Sequence, residues 1–255
     1  MVEYATDGLI GLLTPQANTT VEPEMTILLP PRVAAMNARL VSDAHTLSDR
    51  LRSYISQIDA VLDRFANAPL DAYAFACTGP SYLIGADQEK GLVKAIEEKR
   101  GRPLVTAAQA ACDALSVIGA NRIGLVSPYP AFLTEASILY WQSCEFEVAM
   151  VHSTDLVDAA FHPIYAQGNG DATAGISALK SQASVDAILL LGTGMPTLAA
   201  IASHAERSDF PVLSCMSALG WRTLLAIADT QPNSSNLRPF LTAGAWRSRL
   251  AERTG

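Results

Sequence analysis

Three apolar segments of the chain occur twice, in the same order and at a nearly constant spacing. The pairs are residues 10–15 (IGLLTP) and 123–128 (IGLVSP), residues 76–81 (ACTGPS) and 191–196 (LGTGMP), and residues 103–106 (PLVT) and 211–214 (PVLS). The two members of each pair are about 110 residues apart. This repeat predicts two similar lobes that face each other across a cleft. Cys77 of the first lobe then has Gly192 as its counterpart in the second.

Apolar runs alternate with amphipathic stretches along the whole chain. Strands are predicted at residues 8–13, 72–76, 104–107, 123–127, 146–151, 187–191 and 212–215, and helices at residues 47–66, 88–99, 107–118, 131–142, 172–182 and 198–206. Alternation of this kind is typical of parallel sheets, which bind ligands at the carboxyl ends of their strands. We therefore expect an α/β fold with two Rossmann-like lobes, related by a pseudo-twofold axis, and an active site in the cleft between them.

The length of the chain agrees with two lobes. At 255 residues the protein can form two units of ordinary domain size. We place the N-terminal α/β lobe at residues 1–119 and the C-terminal α/β lobe at residues 120–215. The C-terminal helices, residues 216–255, are expected to return and complete the first lobe.

Composition limits the partners. The net charge is −7 without a run of Lys or Arg, which argues against nucleic acid and anionic membranes, because phosphate binding needs a concentrated basic face. A small molecule is therefore the expected partner. Apolar residues make up 49% of the chain and charged residues 17%, which is compatible with a homo-oligomer.

The cysteines and the N-terminal residues bear on the cellular location of the protein and on whether it binds a metal. The four cysteines have no C-x-x-C spacing, so neither a zinc site nor a disulfide framework is predicted. The first residues lack the basic and apolar segments of a signal peptide. We expect a cytoplasmic protein without a metal. The glycines at positions 192 and 194 lack the third glycine of a dinucleotide fingerprint, so no cofactor is predicted.

Cys77 is the main candidate for chemistry. It follows an apolar strand and precedes small, turn-forming residues and a predicted helix. Backbone N–H groups at such a place favour a thiolate or orient a thiol donor. The same position also suits a buried, inert cysteine. Cys112 and Cys144 are predicted within helices, and Cys215 at the end of a strand, each as packing.

Other residues at strand ends are candidates for binding. Asn18 can donate from its amide or cap a helix, and Tyr129 can direct its hydroxyl at an anion or pack on the turn. The turns that contain Gly79 and Gly192, Thr193 and Gly194 can present N–H groups to a carboxylate. No Arg or Lys is evident in the cleft, so we expect backbone donors to bind the anion.

Together these motifs resemble a known family. Residues 15–24 (PQANTTVEPE), residues 76–78 (ACT) and residues 127–129 (SPY) resemble the maleate isomerase and arylmalonate decarboxylase group of the aspartate/glutamate racemase superfamily. The resemblance covers nearly the whole chain. It implies a cofactor-independent enzyme that acts on a carbon next to a carboxylate, with a small carboxylate or dicarboxylate as substrate.

The resemblance also assigns roles to the residues of the cleft. Racemases of this superfamily and maleate isomerase use one cysteine from each lobe; here the first corresponds to Cys77 and the second to Gly192. Arylmalonate decarboxylase keeps a single cysteine, on the second lobe, so this chain resembles its mirror image. By this resemblance Thr78, the Gly79 N–H and Tyr129 hold a developing dianion, and the N–H groups of the turn at residues 193–194 assist.

Three functions follow from this arrangement. Decarboxylation of an activated malonate needs only one proton donor, Cys77, and ranks first. Isomerisation of maleate by addition of Cys77 to the double bond is the close alternative. A one-cysteine racemase or a non-catalytic protein that binds a carboxylate is the third.

Overall fold

Two four-stranded parallel sheets form the framework of the protein in a computed structural model, which describes residues 2–156, 163–182, 184–208 and 210–254. The first sheet has the strand order β2-β1-β3-β4, and the second has the matching order β6-β5-β7-β8. The strands are β1 (Gly8–Pro15), β2 (Val33–Leu40), β3 (Ala72–Phe75), β4 (Leu104–Thr106), β5 (Arg122–Ser127), β6 (Glu147–Ser153), β7 (Ala187–Leu190) and β8 (Val212–Ser214). The predicted α/β class with parallel sheets is confirmed.

Helices follow most of the strands. They are α1 (Val21–Leu28), α2 (Leu47–Ser56), α3 (Ile58–Leu62), α4 (Gly79–Ile84), α5 (Ala86–Arg100), α6 (Ala107–Val117), α7 (Ala131–Ser143), α8 (Asn169–Gln182), α9 (Leu198–Ala205), α10 (Cys215–Ile227), α11 (Ser234–Ala243) and α12 (Trp246–Thr254). The repeat extends to the helix caps. The hydroxyl groups of Thr106 and Ser214, at the ends of β4 and β8, each accept a hydrogen bond from the third residue of the helix that follows.

The structure differs from the predicted elements in several places. The single helix expected at residues 47–66 is two helices, because Gln57 leaves the helical conformation between them (φ −100°, ψ 2°), and a short 3-10 turn follows at Asp63–Phe65. Strand β2 was not predicted, since its middle residues are exposed at the sheet edge and break the apolar run. Helices α1 and α4 lie outside the predicted helix ranges, although a helix was expected after Cys77 and a helix cap at Asn18. Cys215 begins α10 rather than ending a strand.

The last helices contact both halves of the chain. Helix α10 follows the last strand of the second sheet and packs against α6, α1 and β3. Helix α12 is anchored to α1 by Arg249, whose Nε donates to the Ile27 carbonyl (2.7 Å) and whose Nη2 donates to the Leu28 carbonyl (3.1 Å). The division of the chain at residue 119 stays a prediction. No helix of the described ranges is long and apolar enough to cross a membrane.

A buried glutamate joins α1 to the first turn of α9. The Glu24 carboxylate accepts hydrogen bonds from the N–H groups of Thr197 (2.6 Å) and Leu198 (3.1 Å). Burial raises the pKa of Glu24 to about 7, although these N–H groups favour the charged form. A contact between the two halves therefore contains a group that titrates near neutral pH.

Candidate active site

A small cavity lies where β1, β3, β5 and β7 end at their carboxyl edges. Six of the residues predicted for the site line it: Cys77, Thr78, Gly79, Tyr129, Thr193 and Gly194. They come from both halves of the chain and reach one place because parallel strands bring their carboxyl ends to the same edge of each sheet.

Cys77 presents a buried thiol to this cavity. It lies two residues beyond β3. The backbone just before it is held by a hydrogen bond from the Ala76 N–H to the Leu13 carbonyl of β1 (3.0 Å). Burial raises the pKa of the Cys77 thiol to about 12, and a hydrogen bond from the Gly79 N–H offsets this only in part. The thiol is therefore neutral near pH 7, which suits a proton donor better than a resting thiolate.

Thr78 and Tyr129 form a hydrogen-bonded pair in the wall of the cavity. Their hydroxyl oxygens are 2.6 Å apart. The Tyr129 backbone is held in turn, because Thr134 Oγ1 donates to its carbonyl (3.3 Å) and Ser127 Oγ accepts from its N–H (3.4 Å). Burial raises the pKa of Tyr129 well above its usual value. The phenol keeps its proton and can donate it to an oxyanion.

Gly192 lies behind this pair rather than in the lining of the cavity. It follows β7 at the position that Cys77 has after β3. Its φ is +85°, and a Cβ added there would be 2.8 Å from the Tyr129 hydroxyl oxygen. The tyrosine therefore fills the space in which a second-lobe side chain would begin.

Asn18 also lies outside the lining, because its amide is used to join the two halves. Its Nδ2 donates to the Thr193 carbonyl (3.1 Å), and its Oδ1 accepts from the N–H groups of Thr20 (2.8 Å) and Val21 (3.1 Å). The amide donor thus serves the protein itself, and Oδ1 accepts from N–H groups at the start of α1, although the N-cap residue of that helix is Thr20. Thr20 Oγ1 adds a bond to the Gly194 carbonyl (2.7 Å). These bonds position the turn at residues 192–194.

The wall of the cavity also contains residues that the sequence analysis did not name for the site, among them Arg50, Tyr54 and Tyr165. The expectation that the cleft has no cation is therefore wrong. A signal was present, since Leu47, Arg50, Leu51 and Tyr54 have the spacing of one helical face, and all four line the cavity. The sequence does not say which way that face points, because this depends on the packing of α2 against α4.

The remaining cysteines lie elsewhere. Cys112 lies within α6 as predicted, and Cys144 caps the end of α7 instead of lying inside it. Cys215 is fully buried at the start of α10, with its Sγ 3.9 Å from the Tyr82 hydroxyl oxygen. All four cysteines are free. Among the described residues, no group of three or more His, Cys, Asp or Glu side chains could hold a metal ion.

A family model described as arylmalonate decarboxylase matches residues 10–238. The chain belongs to that family. The resemblance inferred from its motifs is confirmed, and the protein is an enzyme of the isomerase and decarboxylase group.

Curated relatives of this family member extend over nearly the whole chain. A maleate isomerase from Geobacillus stearothermophilus is 25% identical over 246 residues, which cover 89% of this chain and 96% of the relative. A maleate isomerase from Pseudomonas putida is 28% identical over 235 residues, which cover 88% and 92%.

Solved structures agree on the fold. The crystal structure of the maleate isomerase Iso from Pseudomonas putida has a TM-score of 0.77 at 22% identity and covers 93% of this chain and 99% of that one. Unliganded arylmalonate decarboxylase has a TM-score of 0.70 at 20% identity, with coverage of 87% and 92%.

Proposed function

We infer that the protein is a cis-trans isomerase of a small unsaturated dicarboxylate such as maleate, with Cys77 as the nucleophile. The observation that carries this proposal is the buried Cys77 thiol beside the Thr78–Tyr129 hydroxyl pair. The curated relatives named maleate isomerase, which match almost end to end, support it. A related structure from Nocardia farcinica, 21% identical with a TM-score of 0.74, is described with a covalently bound succinylcysteine, which supports addition to a cysteine.

The proposed first step is conjugate addition of the neutral thiol. The Cys77 sulfur bonds to one olefinic carbon, and the π electrons move towards the carboxylate on the other. An oxygen of that carboxylate takes the thiol proton, so the adduct is an enediolate. Because the proton moves as the C–S bond forms, a thiol with a pKa of about 12 need not ionise first.

The hydroxyl pair has its proposed role at this stage. The C–S bond forms ahead of complete proton transfer, so negative charge grows on the carboxylate oxygens in the transition state, and donors that are already in place stabilise it most effectively. Tyr129 and Thr78 supply hydroxyl groups, and the Gly79 N–H, which donates to the Cys77 sulfur, lies next to the reacting bond. One hydroxyl group of the pair donates to the other, so the pair offers one free O–H hydrogen to the enediolate.

The second step reverses the first after a rotation. The former double bond is a single bond in the adduct, so one end of the substrate turns about it. The oxygen then returns its proton to sulfur, the C–S bond breaks, and the trans alkene forms. Atoms and electrons balance with one thiol, so a cysteine at position 192 is not needed.

Decarboxylation of a substituted malonate is the second candidate. The raised pKa of Cys77 favours it, because loss of carbon dioxide leaves an enediolate that a neutral thiol can protonate at carbon. Glycine at position 192 is equally compatible with it, since this reaction needs a donor on one face only.

Proton NMR with maleate and phenylmalonate supplied together separates the two candidates. We expect fumarate from the wild type and from Cys112→Ala, a matched change of a cysteine outside the cavity, and none from Cys77→Ala. Phenylacetate in place of fumarate would establish the decarboxylase. Absence of both products from the folded wild type would overturn both candidates.

A further inference from the structure

Arg50 is the one charged side chain among the described residues that line the cavity. It lies on α2 between Leu47 and Tyr54, on the face that the helix turns towards Cys77. No carboxylate of the described residues lies within ion-pair distance of its guanidinium group. The cavity wall thus carries a positive charge that the fold itself does not neutralise.

This guanidinium group forms few hydrogen bonds with the described residues. Its Nε is buried without an acceptor, and its Nη2 has only a long contact of 3.4 Å with the Ala44 carbonyl. Arg39 is a useful contrast. It donates to the carbonyls of Pro15 (3.0 Å) and Asn18 (2.8 Å) and pairs with Glu22. Arg39 is thus a structural arginine, whereas Arg50, a residue of the cavity wall, has only one long hydrogen-bond contact among the described residues.

Two tyrosines of the wall lie within the field of this charge. Burial and the neighbouring Cys77 raise the pKa of Tyr54 to about 12, and the charge of Arg50 acts in the opposite direction. Burial and Cys77 also raise the pKa of Tyr165, and the charge of Arg50 again acts in the opposite direction. The guanidinium group is therefore close to the same phenols and the same thiol that a bound substrate meets.

Such a group recognises a carboxylate. An arginine presents its N–H donors in a planar fork that fits the two oxygens of a carboxylate, and the pairing is strong where water is excluded. The Thr78–Tyr129 pair already provides donors for one carboxylate of the substrate. A monocarboxylate would leave the buried Nε of Arg50 without an acceptor, which is unfavourable.

We propose that Arg50 binds the second carboxylate of the substrate and makes the site selective for dicarboxylates over monocarboxylates of equal length. The place of the first carboxylate, at Thr78 and Tyr129, rests on the proposed function. A fixed cation beside a carboxylate also opposes its loss as carbon dioxide, since that step removes the negative charge that the cation stabilises. Arg50 thus favours isomerisation over decarboxylation in the same cavity.

Calorimetric titration with succinate and with butyrate tests this proposal without turnover. Both ligands have four carbons, and only succinate has a second carboxylate. We expect wild type to prefer succinate and Arg50→Gln to weaken succinate binding about 10- to 100-fold, the cost of a lost charged hydrogen bond. Butyrate binding should change less than about twofold. Arg52→Gln, an exposed change on the same helix, should alter neither.

A second variant distinguishes loss of the guanidinium group from loss of folding. Arg50→Lys keeps the charge without the fork, so it should recover part of the preference for succinate. The proposal would be overturned if both variants lost succinate and butyrate binding equally, or if neither variant lost succinate binding. It would also be overturned if wild type did not bind succinate. Absence of maleate turnover with an Arg50-dependent preference for succinate would refute the isomerase and leave this subsite intact.

Discussion

A Cβ on Gly192 would lie 2.8 Å from the hydroxyl oxygen of Tyr129, so the two residues share one space. The glycine after β7 and the tyrosine after β5 are therefore a matched pair. In the first half of the chain, the position that matches Gly192 carries the Cys77 thiol. The second half presents a phenol from a neighbouring strand instead, held 2.6 Å from the Thr78 hydroxyl.

Replacing Gly192 with alanine should displace this phenol. The new methyl group cannot remain beside Tyr129, and the φ of +85° adds strain. We expect a large loss of activity and a lower unfolding free energy. Gly119→Ala is the control, because its φ is +73° and its Cβ would meet nothing within 4 Å. Both variants should lose about 1–2 kcal/mol from backbone strain, and only Gly192→Ala should lose activity. Equal activity in the two would contradict the shared space.

Removal of the Tyr129 hydroxyl should slow the chemical step. In Tyr129→Phe the ring still fills its space, but one donor to the enediolate is absent. We expect kcat to fall about 10²–10³-fold, as for other oxyanion donors, with little change in melting temperature. Tyr73→Phe, on β3 and outside the cavity lining, should have normal kcat. A kcat for Tyr129→Phe within about threefold of wild type would exclude this role.

The cysteines should react with iodoacetamide in a set order. Cys144 is partly exposed, and its hydrogen bond with Cys112 lowers its pKa, so it should be alkylated first. Burial raises the pKa of Cys77 to about 12. Its alkylation rate should therefore rise about tenfold per pH unit from pH 7 to 10, with the fraction of thiolate. Peptide mass spectrometry measures both rates, and a Cys77 rate that is constant over this range would reveal a resting thiolate.

Stability should depend on pH through Glu24. Its folded pKa is about 7, above the ordinary value of 4.5, so the native state binds the proton more tightly. Its contribution is complete below pH 4.5 and is lost as the pH rises through 7. From pH 5 to 8 the unfolding free energy of wild type should fall by about 2–3 kcal/mol relative to Glu24→Gln, which resembles the protonated acid.

Urea unfolding of the two proteins at pH 5, 6, 7 and 8 measures this difference. Glu3→Gln, a change of an exposed glutamate, should follow wild type throughout. A constant difference between wild type and Glu24→Gln would mean that Glu24 is charged over the whole range.

The repeat was enough to predict the fold class and the meeting of six residues at one cavity. Both follow from short-range signals, since an apolar strand with a turn after it determines where a residue such as Cys77 or Tyr129 lies in a parallel sheet. The interpretation of these residues as substrate-binding stays a prediction.

Other features depend on tertiary packing, which no local sequence pattern determines. Arg50 enters the cavity because α2 packs against α4 and ends at Gln57. Asn18 turns away because Thr193, from the other half of the chain, accepts its amide hydrogen. The edge strand β2 lacks a continuous apolar run because its middle residues are exposed. The positions of Arg50 and Asn18 thus depend on contacts with other parts of the chain.

Proton NMR of maleate turnover in heavy water tests the central claim, that addition of the Cys77 thiol is sufficient for isomerisation. The mobile proton stays on sulfur or oxygen in this mechanism, and the olefinic hydrogens are never exchanged. Wild type should therefore give fumarate without deuterium on carbon, and Cys77→Ala should give none. Deuterium at an olefinic carbon, or fumarate from Cys77→Ala, would contradict the account.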